Sequence, residues 1–244
     1  MKLDAYGCSR TGSVRERNED ALLLRFCKEG GLFLVADGMG GREHGELVSG
    51  MLRNAYGAWW EETFLPVRYS WTFHDAMESL KATLLGVNQE VVSRFGERRA
   101  GSTLALLFLY QGRNLCLSAG DSRIYRLRGW SFQQMTRDDI YGNQPGYDWR
   151  KERGRDAGKL MGAVGIRSVP EFSVRTDRIQ NRDFYFVCSD GVYRYVARRN
   201  LFWKLRLFGS RPEPDNVVRR IESEVEKNGS GDNYSMIFIR ISET

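Results

Sequence analysis

Two short apolar runs in this 244-residue chain end in Asp-Gly. Leu32-Phe33-Leu34-Val35-Ala36 runs into Asp37-Gly38, and Phe184-Tyr185-Phe186-Val187-Cys188-Ser189 runs into Asp190-Gly191. Runs of this length, rich in aromatic and β-branched residues and closed by glycine, read as buried strands. Each strand therefore carries a carboxylate to its own end, on a rigid element. Three other acidic sites share the placement. Glu19-Asp20 precedes the strand Ala21 to Phe26, Asp121 lies between two strands in Gly120-Asp121-Ser122, and Asp232 precedes the last strand in Gly231-Asp232-Asn233. Acids that converge repel one another, and only cations or raised pKa values sustain them. Oxygen ligands of this kind suit Mg²⁺ or Mn²⁺ rather than zinc. His44 and His74 are the only histidines, which nearly excludes a zinc site built on imidazole. Two hard ions bridged by one carboxylate can activate a water for in-line attack. A single Asp-Gly is an ordinary turn; the set carries the reading. Arg15 adds a guanidinium fork that matches phosphate oxygens, which points to a phosphoryl substrate.

The elements that must position these residues alternate in character along the chain. Strands are expected at Leu3 to Ser9, Ala21 to Phe26 and Leu32 to Ala36, the last two joined by the hairpin-type connection Cys27 to Gly31. From Glu43 the period changes, and Leu47, Met51, Leu52, Tyr56 and Trp59 share a helical face that ends near Thr63. A second amphipathic helix carries Phe73, Met77, Leu80, Leu84, Val91 and Phe95, with Ser70 or Thr72 as its cap. Strands return at Ser102 to Tyr110, Asn114 to Ala119, Arg123 to Arg128 and Ser131 to Met135. Thr136 to Lys159 has little periodicity and many charges, and reads as an exposed flap. Strands follow at Glu171 to Thr176 and Asp183 to Cys188, then helices over Val192 to Phe208 and Pro214 to Lys227, then a strand over Tyr234 to Ile241. Helices rarely separate successive strands, so the pattern is α+β with antiparallel sheets covered by helices. No linker divides the chain, and one domain over residues 1–244 is expected.

Composition narrows the class. A hydrophobic fraction of 41% suits a globular core, and no apolar run approaches the ~20 residues that span a bilayer. The first residues carry no apolar leader, so a cytoplasmic protein without a membrane partner is expected. Cys8, Cys27, Cys116 and Cys188 show no C-x-x-C spacing and read as buried free thiols. The net charge of +6 gathers at Arg150 to Arg155 and Arg198 to Arg211. Without an aromatic RNA-binding signature or a helix-turn-helix pattern, it reads as solvated basic surface rather than as a nucleic-acid site.

Five motifs in order give the chain a family likeness. They are Gly12-Ser13-Val14-Arg15-Glu16-Arg17-Asn18-Glu19-Asp20-Ala21, Val35-Ala36-Asp37-Gly38-Met39-Gly40-Gly41, Gly101-Ser102-Thr103-Leu104, Gly120-Asp121-Ser122-Arg123-Ile124-Tyr125, and Cys188-Ser189-Asp190-Gly191 with Asp232-Asn233 closing. Ala163-Val164-Gly165 resembles the segment that follows the family's flap. The set resembles the metal-dependent Ser/Thr protein phosphatases (the PPM, or type 2C, family), in their compact bacterial form, from about Ala5 to Ile239. The resemblance implies two antiparallel sheets packed face to face and flanked by helices, an α-β-β-α sandwich. It implies a signalling hydrolase that cleaves phosphoserine and phosphothreonine with a metal-activated water, acts as a monomer and opposes a cognate Ser/Thr kinase. Asp37 would bridge two Mn²⁺ or Mg²⁺ ions, with Asp190 and Asp232 completing one site and the Gly38 carbonyl contributing to the other. Glu19 and Asp20 would act directly or through water, Arg15 would hold the substrate phosphate, and Asp121 matches the position of a third, weaker ion. Arg15, Asp20 and Asp37 are thus the residues expected to carry catalysis.

Departures from the family pattern cluster near the centre. Met39 stands where eukaryotic members place histidine, and Arg42-Glu43 precede His44 where bacterial members continue directly with histidine. His44 is expected to be a surface residue at a helix start, leaving no histidine as general acid. Thr136-Arg137-Asp138-Asp139 replaces the family's usual Asp-His-Ser-type flap sequence, and Tyr141, Tyr147 and Trp149 in its continuation are expected to set substrate preference. These departures motivate an alternative, a relative that binds phosphorylated partners without turning them over; the intact acidic set weighs against it. No arginine follows Cys116 or Cys188 at the spacing of a Cys-x5-Arg loop, which excludes cysteine-based phosphatase chemistry.

Overall fold

A computed structural model of the chain describes residues 2–39, 44–144, 155–210 and 214–242. Its strands are β1 (Lys2–Arg10), β2 (Asp20–Phe26), β3 (Gly30–Met39), β4 (Gly101–Ser102), β5 (Leu104–Tyr110), β6 (Arg113–Ala119), β7 (Arg123–Arg128), β8 (Ser131–Gln134), β9 (Ser173–Arg178), β10 (Phe184–Cys188) and β11 (Tyr234–Ser242). The helices are α1 (His44–Ala58), α2 (Phe73–Phe95), α3 (Asp190–Tyr193), α4 (Arg198–Ser210) and α5 (Pro214–Lys227). One sheet runs β1-β11-β10-β7-β8; the other runs β2-β3-β5-β6-β9, with β4 paired to β3. All the pairings are antiparallel. This is the expected α+β architecture of two sheets clothed by helices.

Strand alternation builds the layers. Along β3, Leu32, Leu34 and Ala36 pack under α1 and α2, while Phe33 and Val35 fill the space between the sheets. Along β10, Tyr185 and Val187 face that same inter-sheet layer, and Phe184, Phe186 and Cys188 pack under α4 and α5. Side chains alternate across a strand, so a strand buried on both faces must be apolar at every position. That is why these strands are the continuous runs that end in the functional acids.

The helices follow their patterns with one change of phase. Thr72 caps α2 with a reciprocal capping box to Asp75, and Leu80, Leu84 and Val91 are fully buried. In α1 the buried stripe is Val48, Leu52 and Tyr56, whereas Leu47, expected on that face, is 44% exposed. Beyond Ala58 the helix continues as a π-helical turn, Trp59–Phe64, and a three-residue α turn, Leu65–Val67, so it ends a turn past Thr63. The wider turn lets Trp59, Trp60 and Phe64 all face inward, with Phe64 stacked 5.3 Å from Trp59. The four cysteines are free; Cys8, Cys116 and Cys188 are buried, while Cys27 is only partly so. Among the described residues no helix is long and apolar enough to cross a membrane.

Candidate active site

The ends of both sheets meet in one cleft of about 840 Å³ lined by Arg15, Glu19, Asp37, Gly38, Asp121, Asp190 and Asp232. Strand register brings the first two acids together: Asp20 on β2 is the cross-strand partner of Asp37 on β3. The backbone of Asp37 is pinned on both sides. Its N–H donates to Thr103 Oγ1 at 2.9 Å, and its carbonyl accepts from the Thr103 N–H at 2.9 Å and from Ser102 Oγ at 3.0 Å. The Gly38 N–H donates to the Glu19 carbonyl at 3.1 Å. A Cβ on Gly38 would collide with the Gly45 carbonyl at the start of α1, so only glycine permits this approach.

The remaining acids come from the other sheet and its loops. Ser189 Oγ donates to Asp20 Oδ2 at 2.8 Å and accepts the Ser235 N–H at 2.9 Å, which ties β2 to the β10–β11 pair. Asp190 opens α3, directly after β10. Asp232 lies 2.9 Å from the Arg15 guanidinium. Asn233, its neighbour, accepts from the Glu19 N–H at 2.9 Å and donates to the carbonyls of Thr11 and Arg17 at 2.8 and 2.9 Å. One buried amide thus fixes the whole Thr11 to Glu19 loop, which carries Arg15 and Glu19. Asp121 accepts from the Tyr193 hydroxyl and the Arg194 guanidinium, each at 3.0 Å.

The electrostatics are those of acids held against their preference. Burial, reinforced by the charges of Asp190 and Asp232, raises the Asp20 carboxyl to about 7, although hydrogen bonds from Ser235 and Ser189 pull the other way. Asp37 is pushed well above the usual carboxylate range by burial and then by Asp20, Asp190, Asp121 and Asp232. Asp190 is raised by burial, against the opposing pull of Arg194. Asp20 Oδ1 and Asp190 Oδ1 are buried without a hydrogen-bond partner. Buried polar atoms are ordinarily paired, so two orphaned carboxylate oxygens beside the partly buried Asp37 are donors suited to hard cations. Among the described residues no three His, Cys, Asp or Glu side chains form a ready ligand cluster; instead Arg15 pairs with Asp232, and Arg194 with Asp121 and Asp190. The donor chemistry therefore fits a hard metal, with side-chain rotation needed to complete it.

Every sequence-predicted acid lies in or against this cleft, and Arg15 faces it. His44 is exposed at the start of α1, its ring 5.0 Å from that of Phe95 and outside the residues that line the cleft. The expected flap is not exposed throughout. Thr136 and Asp138 are buried, and Asp138 pairs with Arg123. The Asp139 N–H donates to the Gly120 carbonyl at 2.9 Å, and a bridge joins Ile140 to Leu160. Both ends of the segment are thereby fastened beside the acids. Tyr147, Trp149 and the basic run at 150–154 lie outside the described residues, as do Gly40, Gly41, Arg42 and Glu43. Ser189, Thr103, Tyr193, Arg194 and the threefold anchoring by Asn233 escape a reading of the sequence. Thr103, Ser189 and Asn233 stand inside the quoted motifs without a role attached to them, and Arg194 left a local trace, four residues after Asp190 in a helical stretch.

No sequence profile of a known protein family matches the chain. Individual relatives do. The chain is 28% identical over 208 residues to the serine/threonine phosphatase Stp of Listeria monocytogenes, covering 78% of each. It is 24% identical to the "Probable protein phosphatase 2C 59" of Arabidopsis thaliana, over 97% of this chain and 79% of that one. Among solved structures, PppA of Pseudomonas aeruginosa, described as a key regulatory component of T6SS, superposes with a TM-score of 0.80 at 28% identity, covering 99% of this chain and 98% of that one. Paired sheets, a cleft of carboxylates at their ends and likeness to these proteins over most of the chain agree, and the chain is similar to the PPM, or type 2C, protein phosphatases and is a phosphoric monoester hydrolase of that kind.

Proposed function

We propose that the chain hydrolyses phosphoserine and phosphothreonine in proteins at a centre of two Mn²⁺ or Mg²⁺ ions, and that its substrates are made by a Ser/Thr kinase it opposes. The observation that carries the reading is the pair of orphaned oxygens on Asp20 and Asp190 beside the partly buried Asp37. In this reading Asp37 with Asp190 and Asp232 would hold one ion, and Asp37 with the Gly38 carbonyl, Glu19 and Asp20 would hold the other, directly or through water. Bound there, the ions would lower the pKa of a water and offset charge on the phosphoryl oxygens.

The chain's own residues supply the rest. Arg15 is half exposed, and its guanidinium can pass from Asp232 to a substrate phosphate, whose oxygens match the same fork. Asp232, freed of that pair, would then be available to hold an ion. Ser189 orients Asp20, and Asn233 holds the Glu19 loop at a fixed distance from β3. No histidine lines the cleft among the described residues, so in this reading water rather than an imidazole would protonate the leaving alkoxide. We read the chain as one phosphatase domain that acts as a monomer.

The test is phosphate release from phosphoserine and phosphothreonine peptides by EDTA-treated protein, with and without added Mn²⁺. Release that requires the metal supports the reading. Tight peptide binding without release would indicate a binding-only relative instead.

A further inference from the structure

Arg194 follows Asp190 by one helical turn, and its guanidinium reaches two acids at once. One nitrogen is 3.0 Å from Asp121 Oδ2 and the other is 3.0 Å from Asp190 Oδ2. The Tyr193 hydroxyl donates to the same Asp121 oxygen at 3.0 Å. Tyr193 is itself clamped. The Arg123 guanidinium lies over its ring, 3.4 Å from the centroid, and is held in turn by Asp138 through contacts of 2.6–3.1 Å. Asp121 is only 6% exposed. It therefore has a clamped hydroxyl donor and a half-exposed cation beside it before any ion arrives. Asp190 is divided: Oδ2 carries Arg194, while Oδ1 is buried and unpaired.

We propose that Arg194 is a resident counter-cation of the cleft. It neutralises Asp121 and orients Asp190, so that Asp121 anchors an arginine rather than an ion and the centre takes two divalent ions, not three. The inference rests on the dinuclear reading above and sharpens it. A guanidinium stays protonated at any working pH and, being covalently attached, cannot be diluted or chelated away. The pair is buried at its Asp121 end and half exposed at its Arg194 end, so loss of Arg194 would leave a buried carboxylate uncompensated, and a third ion at Asp121 would have to displace a group already in place. Asp190 keeps one free oxygen, enough for one ion. Arg194 is in this sense a positioning residue that acts through Asp190.

Two measurements on the full chain test this. Bound Mn²⁺ is counted by equilibrium dialysis and metal analysis, and thermal unfolding is followed for Arg194→Met, Asp121→Asn and the double variant, in EDTA and in saturating Mn²⁺. The expected count is two ions for the parent protein and two for Asp121→Asn. The double variant should lose no more in Tm than the more severe single variant, with Mn²⁺ as without, because the pair persists in the loaded protein. Three ions in the parent falling to two in Asp121→Asn would overturn the proposal. So would a coupling between Arg194 and Asp121 that is present in EDTA and vanishes in Mn²⁺. Fewer than two ions in the parent, with the coupling intact in both conditions, would count against the dinuclear reading and leave Arg194 as the partner of Asp121.

Discussion

Asp20 and Asp37 stand directly opposite each other in the β2–β3 ladder, Asp20 buried and Asp37 partly so, and desolvation raises both carboxyls. Neither could occupy this place by chance of packing, since a one-residue slip of register would turn both to the other face of the sheet. The register is held by the apolar positions behind them, where Leu22, Leu23 and Leu24 oppose Val35, Leu34 and Phe33. The core thus sets the distance between the two acids that the proposed chemistry needs.

Ser189 is expected to matter as much to metal binding as to folding. It donates to Asp20 and accepts from Ser235, so Ser189→Ala frees Asp20 to rotate. Outer partners of metal ligands typically contribute about 10–100-fold in affinity. Titration calorimetry with Mn²⁺ should show a loss of that order; an unchanged affinity would place Asp20 outside the metal's reach.

Asn233→Ala should destabilise the chain. It removes three hydrogen bonds and leaves the Glu19 N–H and the Thr11 and Arg17 carbonyls without their partner. A loss on the order of 1–3 kcal/mol is expected from unsatisfied buried groups, measured by urea unfolding. Asp232→Asn, in contrast, should leave stability nearly unchanged, because its ion pair with Arg15 is half exposed.

Stability without metal should depend on pH in a defined direction. The Asp20 carboxyl titrates near 7 in the folded chain, against roughly 4 when unfolded. Between those values the folded state retains a proton that the unfolded state has released, so metal-free stability falls as pH rises through the window. Mn²⁺ needs the ionised carboxylate, so its stabilisation grows over the same range. Unfolding scans in EDTA and in Mn²⁺ at intervals across the window, with Asp20→Asn as reference, check this. A variant that shows the same slope as the parent would remove Asp20 as the cause.

Arg15→Ala should raise KM for a phosphopeptide while sparing the fold. Hydrogen bonds to charged groups contribute about 1.5–3 kcal/mol, equivalent to roughly 10–100-fold in KM. Arg15→Lys should recover only part of the loss, since an ammonium lacks the fork. Equal KM in parent and alanine variant would place the phosphate elsewhere.

The strand-end acids were legible because a doubly buried strand must be apolar at every position, which makes its end conspicuous. Asp37 and Asp190 stood out for that reason, as did the Thr72 cap of α2. Leu47 misled because α1 presents Val48, Leu52 and Tyr56 to the core, one residue around the helix from the expected stripe. Ser189, Asn233 and Tyr193 stayed hidden for a different reason. Each acts through a contact between segments far apart in the chain, and a serine or asparagine carries no periodicity to announce such a contact. Arg194 lay in plain spacing, but its meaning depended on Asp121 arriving from the other side of the cleft.

The central claim is that Asp37 organises a metal-dependent phosphatase centre. Phosphate release from a phosphothreonine peptide by the parent protein and by Asp37→Asn, each titrated with Mn²⁺ after EDTA treatment, tests it most directly. The parent should release phosphate only when Mn²⁺ is added, and Asp37→Asn none above background at any Mn²⁺ concentration, with the variant still folded by circular dichroism. Metal-independent release by the parent, or full activity in Asp37→Asn, would contradict it.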